Sequence, residues 1–149
     1  MSATAPIASV LTDQLIARCG ERADDDRENC FIAEDFEELK RVGYLKAPIP
    51  RELGGLGMSL PEVCHEQRRL AYRAPVTALA INMHLTWMGV AADLFRLGDP
   101  SLRWMLDEGA AGEVFAAEHG EPDNDLPLLY STATAERIDG GYRLTGRKR

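Results

Sequence analysis

The chain has 149 residues, 45% of them apolar and 28% charged, with a net charge of −7 and three cysteines. A chain of that length buries roughly two-thirds of its unfolded surface, so a proper core is within reach. The acidic balance argues against a general nucleic-acid binder, which needs a basic face, but leaves room for a phosphorylated small ligand held by a few local donors.

The first hundred residues or so read as helices. Pro6 suits an early helical position, Val10, Leu11, Leu15 and Ile16 make an apolar stripe, and Gly20 is expected to end it. After the polar run 21–29, a second helix is centred on Ile32, Phe36, Leu39 and Val42 and stopped by Gly43. Residues 44–58 hold two prolines and three glycines and read as an ordered, irregular crossing. Ser59 and Glu62 form a capping-box pattern, and Leu60, Val63, Cys64, Gln67, Leu70 and Ala71 follow at helical spacing. Ala74-Pro75 interrupts this helix.

The longest predicted helix runs from about Val76 to Leu97. Its expected apolar face is Val76, Leu79, Ala80, Met83, Trp87, Val90, Ala91, Leu94 and Phe95. Gly98 stops it, and Asp99-Pro100 restarts another helix, with Leu102, Met105 and Leu106 inward and Gly109 at its end. From Gly112 the pattern changes to strands: 112–117, then 130–136, a turn at Asp139-Gly140-Gly141, and a strand from Tyr142. The expected fold class is α+β: an N-terminal α-helical bundle followed by the first strands of an incomplete β-barrel domain, divided as 1–110 and 111–149. About three strands cannot close a barrel, so the sequence reads as the front part of a longer protein.

Cys19, Cys30 and Cys64 are not closely paired and read as reduced thiols in a cytoplasmic protein. The scattered His65, His84 and His119 make no metal site. The N-terminus lacks the basic region and apolar run of a signal peptide, and no stretch is read as approaching 18 apolar residues, so no membrane insertion is expected. No dinucleotide-binding, Walker or nucleophile-elbow motif is present. The cluster Gly54-Gly55-Leu56-Gly57 follows prolines rather than a strand, so it reads as a place of close backbone approach more than a phosphate cradle. His84 and Trp87, one turn apart, read as core packing and a helix-surface contact. The acidic run around Glu118, His119, Glu121, Asp123 and Asp125 reads as a solvated loop, and Arg143, Arg147, Lys148 and Arg149 as a solvated face.

The string Pro50-Arg51-Glu52-Leu53-Gly54-Gly55-Leu56-Gly57-Met58-Ser59 resembles the P-x-E-x-G-G-x-G-x-S segment of the acyl-CoA dehydrogenase family. In order along the chain, Leu97-Gly98-Asp99-Pro100 with Trp104-Met105-Leu106 is similar to that family's helix before its β-domain. Ala111-Gly112-Glu113 is similar to the entry into the first strand. Residues 134–148 resemble its A-x-x-x-x-G-Y-x-L-x-G-x-K hairpin. The resemblance implies FAD as cofactor, an acyl-CoA thioester as substrate, and α,β-dehydrogenation with a glutamate base from a C-terminal helical domain; no catalytic residue of this chain follows from it. It also implies a substrate tail facing a helix within 60–97, and homo-oligomers formed mostly through C-terminal helices.

The family's flavin-contact segment, an aromatic and two small residues followed by T-E-P-x-x-G-S-D, stands here as residues 115–125. The resemblance gives cofactor-binding roles to Phe115, Ala117, Glu118 and Asn124. Phe115 and Ala117 take the strand positions flanking the isoalloxazine. Glu118 replaces the threonine whose hydroxyl would bond the flavin, Asn124 replaces the serine near the pyrophosphate, and Asp125 fits the terminal acid. A carboxylate at position 118 beside a reduced, anionic flavin is unfavourable unless it turns away or is protonated. That departure keeps two alternatives open: a flavin-dependent monooxygenase of the same fold, and a non-catalytic helical assembly module. Alone, the 149 residues are expected to bind flavin poorly and turn over nothing.

Overall fold

The computed structural model describes residues 10–23, 31–117 and 131–147. Five helices come first: α1 (Asp13–Ala23), α2 (Ala33–Arg41), α3 (Leu60–Ala71), α4 (Pro75–Arg96) and α5 (Arg103–Ala111). Short 3-10 turns, Tyr44–Lys46 and Arg51–Leu53, lie between α2 and α3, and two strands close the order, β1 (Thr134–Ile138) and β2 (Gly141–Thr145). The chain divides into two units, Met1–Phe115 and Ala116–Arg149. Helices followed by a two-stranded antiparallel sheet are what the α+β reading expects.

In the first unit α4 is the central strut. Its buried stripe is Thr77, Ala78, Ile81, His84, Leu85, Met88, Ala91 and Ala92, the i, i+3, i+4 recurrence of one helix face. The N-terminal half of that stripe joins Leu11, Leu15, Leu39, Tyr44, Val63 and Leu70 in one core cluster; the C-terminal half joins Ile49, Met105 and Leu106 in a second. Each such side chain taken fully from water contributes about 1.5–3 kcal/mol.

This phase corrects the expected face. Val76, Leu79, Met83 and Val90 are exposed, although Ala91 is buried and Trp87 and Phe95 pack against the second cluster as expected; α4 is apolar almost all round, and a periodicity reading cannot tell which side is covered. The same composition makes α4, by length and composition, the one helix among the described residues long and apolar enough to cross a membrane, against the expectation that no stretch would qualify. Nearly two-fifths of that apolar window is buried inside the bundle.

Two glycines and one proline turn account for three further corrections. α1 runs through Gly20, where an added Cβ would sit 3.2 Å from Arg73 Cβ, so this glycine makes room for the turn between α3 and α4. Gly109 lies inside α5, since its Cβ would sit 2.6 Å from Met88 Sδ; the helix ends instead at Gly112, whose φ of 109° is the left-handed turn favoured by glycine. Likewise α5 begins at Arg103 rather than Pro100: Asp99 Oδ1 accepts the Ser101 amide at 2.9 Å and Pro100 carbonyl takes the Arg103 amide, forming a turn first. The start expected near Pro6 lies outside the described residues.

Buried polar groups lock the helices together. Asp35, near the start of α2, accepts from Arg22 at the end of α1 (2.5 Å) and from Thr77 in the first turn of α4 (2.5 Å). Arg22 also pairs with Glu38 at 2.8 Å, and its hydrogen bond, with that of Arg18, holds the Glu38 carboxyl below its ordinary range. On the other side, Arg69 of α3 spans Glu66 (2.5 Å) and Asp13 of α1 (2.6 Å).

The second unit holds the hairpin. β1 and β2 pair antiparallel, with Thr134 opposite Thr145, Glu136 opposite Arg143 and Ile138 opposite Gly141. The two linking residues, Asp139-Gly140, are a preferred pair for a tight hairpin turn, and Gly140 takes φ 78°. All ten strand residues are exposed. No strand forms over 113–117, contrary to expectation: the backbone there is irregular, and an extended segment needs a partner before it becomes a strand.

Candidate functional site

The irregular crossing sets the site's floor. Its amides are spent on its own carbonyls: Gly55 on Pro50 (3.1 Å), Leu56 on Lys46 (3.1 Å), Gly57 on Ile49 (2.8 Å) and Met58 on Ala47 (2.8 Å). No row of free N–H groups is left for a phosphate, so the glycine cluster is the close approach the sequence suggested. A Cβ on Gly55 would lie 2.1 Å from the Ile49 carbonyl oxygen. Beyond the crossing, Glu62 Oε2 accepts from the Ser59 amide (2.7 Å) and hydroxyl (2.6 Å), fixing the start of α3.

Lys46 reaches from the crossing to the Ala110 carbonyl at the C-terminus of α5, where a cation meets the negative end of the helix. The preceding residue, Leu45, offers its carbonyl to His84 Nε2 at 3.0 Å, and the other ring nitrogen, Nδ1, receives the Phe115 backbone N–H at 3.1 Å. The His84 and Phe115 rings stack at 12°, centroids 6.4 Å apart, and the Trp104 ring meets Phe115 edge-on at 5.7 Å. His84 is 2% exposed, and burial holds its pKa below the ordinary histidine value, opposed by the Leu45 hydrogen bond. Trp104 is 56% exposed and Phe115 half-buried. The result is an aromatic shelf, rigid behind and open in front.

A separate groove of about 250 Å³ runs between α3 and α4, lined by Pro48, Met58, Leu60, Val63, Leu85 and Val90 among others, with Asp93 and Arg96 at its edge. Those two charges pair at 2.9 Å, so the groove's character is apolar. The buried thiol of Cys19 is pushed up to about 11 by burial and by the nearby Asp35 charge, which leaves it inert; Cys64 is exposed. Among the described residues, no group of three or more His, Cys, Asp or Glu could hold a metal ion.

Of the four expected cofactor residues, Phe115 stands on the shelf and Ala117 falls in the second unit. Glu118 and Asn124 lie outside the described residues, as do His119 and the acids that follow it. His84 behaves as the core histidine the sequence suggested, but its grip on Phe115 was missed. The sequence carries no signal for that bond: a buried imidazole must find partners for both nitrogens, but which side of α4 is buried is not readable from its pattern.

The helical bundle thus carries Phe115 just past its last helix, beside a glycine-tied crossing. Residues 7–113 match the acyl-CoA dehydrogenase N-terminal domain family, and the chain belongs to the acyl-CoA dehydrogenase family, whose members are flavin-dependent oxidoreductases. It is 33% identical over 144 residues to the amino sugar nitrososynthase DnmZ of Streptomyces peucetius, covering 95% of this chain and 35% of that protein. It is 37% identical over 128 residues to the putative acyl-CoA dehydrogenase YdbM of Bacillus subtilis (85% and 34%). With the benzylmalonyl-CoA dehydrogenase of Aromatoleum aromaticum it shares 29% over 130 residues (83% and 33%). The chain thus spans about a third of the length of these curated relatives.

Proposed function

We propose that this chain is the front portion of an FAD-dependent oxidoreductase acting on acyl-CoA thioesters, with residues 111–149 as the start of a β-domain. The observation that carries the reading is the shelf: an open aromatic edge at Trp104 and Phe115, backed by a neutral histidine and placed at the entry to the β-segment. A flat, apolar-faced ring system fits there, since Phe and Trp edges and faces pack well against aromatic ligands. Phe115 and Ala117 would flank the isoalloxazine, with Glu118 and Asn124 on the following segment toward the rest of the cofactor. Bound FAD supplies two-electron acceptance, and the protein's part is to orient the substrate and exclude water.

The apolar groove between α3 and α4 suits a hydrocarbon tail, with methylenes against Val63, Leu85 and Val90. The base that takes the α-proton is assigned to no residue of this chain. Cytoplasmic location belongs to the same reading, supported by the free thiols, and a role in lipid metabolism follows from an acyl-CoA substrate; homo-oligomerisation is left to the rest of the full-length protein.

A second reading has its own support. Two observations favour a flavin monooxygenase that oxidises an amine with oxygen: the 95% coverage by a relative named as an amino sugar nitrososynthase, and glutamate at position 118 where a flavin-bonding hydroxyl is expected. The two separate on one experiment with the flavin-loaded full-length enzyme, since the 149 residues alone are expected to bind flavin poorly and turn over nothing. Anaerobic bleaching of the flavin bands on adding a short acyl-CoA supports dehydrogenation. Oxygen uptake on adding an amino sugar with reduced flavin, without acyl-CoA bleaching, supports the second. Neither response would count against both.

A further inference from the structure

We propose that His84 is a positioning residue that fixes Phe115 and so sets the depth of the aromatic wall of the site. The proposal rests on the reading that Phe115 flanks a flavin. The chemistry of the imidazole makes it specific. Nδ1 lies 3.1 Å from a backbone N–H, which can only donate, so Nδ1 must present its lone pair. The proton then sits on Nε2 and is donated to the Leu45 carbonyl, 3.0 Å away. The opposite tautomer would set N–H against N–H on one side and lone pair against carbonyl oxygen on the other. The doubly protonated ring would keep the first of those conflicts. One tautomer of one charge state satisfies both neighbours.

This arrangement does more than satisfy a buried ring. Phe115 lies just past the C-terminus of α5, where no helical hydrogen bond holds its amide; His84 supplies the missing acceptor. The same ring stacks on the Phe115 side chain at 12°, and Trp104 closes it edge-on, so backbone and side chain of one residue are held by one imidazole and one indole. Leu45, which receives the Nε2 proton, adjoins Lys46, which grips the end of α5. The crossing, α4 and α5 are therefore tied at the point where the chain leaves the bundle. A hydrophobic residue at position 84 would fill the space but leave two backbone groups without partners.

The test is nuclear magnetic resonance on the ¹⁵N-labelled chain, with hydrogen exchange and two variants. In the wild type, long-range proton–nitrogen spectra should show His84 neutral with its proton on Nε2, and a through-hydrogen-bond coupling should link Nδ1 to the Phe115 amide. That amide should exchange about tenfold more slowly than its neighbour Val114 after correction for intrinsic rates. His84→Phe should abolish the protection of Phe115 while core amides such as Met88 keep theirs. His84→Gln, which offers one carbonyl acceptor and one amide donor, should restore most of it. A proton on Nδ1, or a Phe115 amide as fast as Val114 in the wild type, overturns the proposal even if His84→Phe does not fold. Should His84→Phe free Phe115 without weakening the response of Trp104 emission to added FAD, the hydrogen bond stands and the flavin wall falls.

Discussion

The helical unit and the hairpin are held by different physics. Up to Phe115, two buried clusters and a network of ion pairs and a hydrogen bond spanning α1, α2 and α4 hold the helices. In β1 and β2 the backbone ladder, one tight turn and the Glu136–Arg143 pair at 3.3 Å carry the register, with no buried side chain among the strand residues. An isolated two-stranded hairpin is marginal in water. The contrast teaches that sensitivity to substitution should be concentrated in the first unit, and within it at places where volume or polar pairing leaves no slack.

The largest effect should come from Gly55→Ala. A methyl group 2.1 Å from the Ile49 carbonyl must displace backbone that is already committed to four inward hydrogen bonds, so denaturant unfolding should show a loss of about 3 kcal/mol. Next is Asp35→Ala, which strips the Thr77 hydroxyl and one arm of Arg22 of their acceptor; the same assay should show about 2 kcal/mol, less than a fully buried pair because Arg22 keeps Glu34 and Glu38. Acid should weaken the unit in two windows. His84 has a folded pKa below its ordinary 6.5, so the unfolded chain takes the proton first; its contribution is full above 6.5 and is lost as pH falls toward the folded value. Glu38 is held below its ordinary 4.5 by Arg22 and Arg18, so its contribution is full above 4.5 and disappears on further acidification. Thermal melts from pH 8 down to about pH 2 should show both declines, and His84→Gln should lack the first. Smallest of all, Tyr142→Ala and Leu144→Ala should change the unfolding free energy of the helical unit by less than about 0.5 kcal/mol. A large effect there would abolish the contrast.

Much of this was legible in the residues, and the failures have one cause. The stripe of α1, the capping role of Glu62, the stop at Gly43 and the Asp139-Gly140 turn all follow from local chemistry, and the glycine-punctuated crossing points to the family. Positions set by tertiary packing were misread. Gly20 and Gly109 look like terminators because glycine usually ends helices, yet Gly20 is crowded by Arg73 in the turn after α3 and Gly109 by Met88 of α4. The face of α4 was phased wrongly because apolar side chains lie on every side of it. At the site, Phe115 could be named from its place in a motif. The His84 bond to its amide could not, since it joins residues 31 apart in the chain.

The central claim, that Trp104 and Phe115 form the edge of a flavin wall, is tested most directly by fluorescence lifetime. With Trp87→Phe leaving Trp104 as the sole indole, FAD added up to about 1 mM should shorten the Trp104 lifetime along a saturable curve, weakly in these 149 residues, and more weakly still in Phe115→Ala. A lifetime indifferent to FAD across that range, or shortened equally by ADP without the flavin ring, would contradict the account.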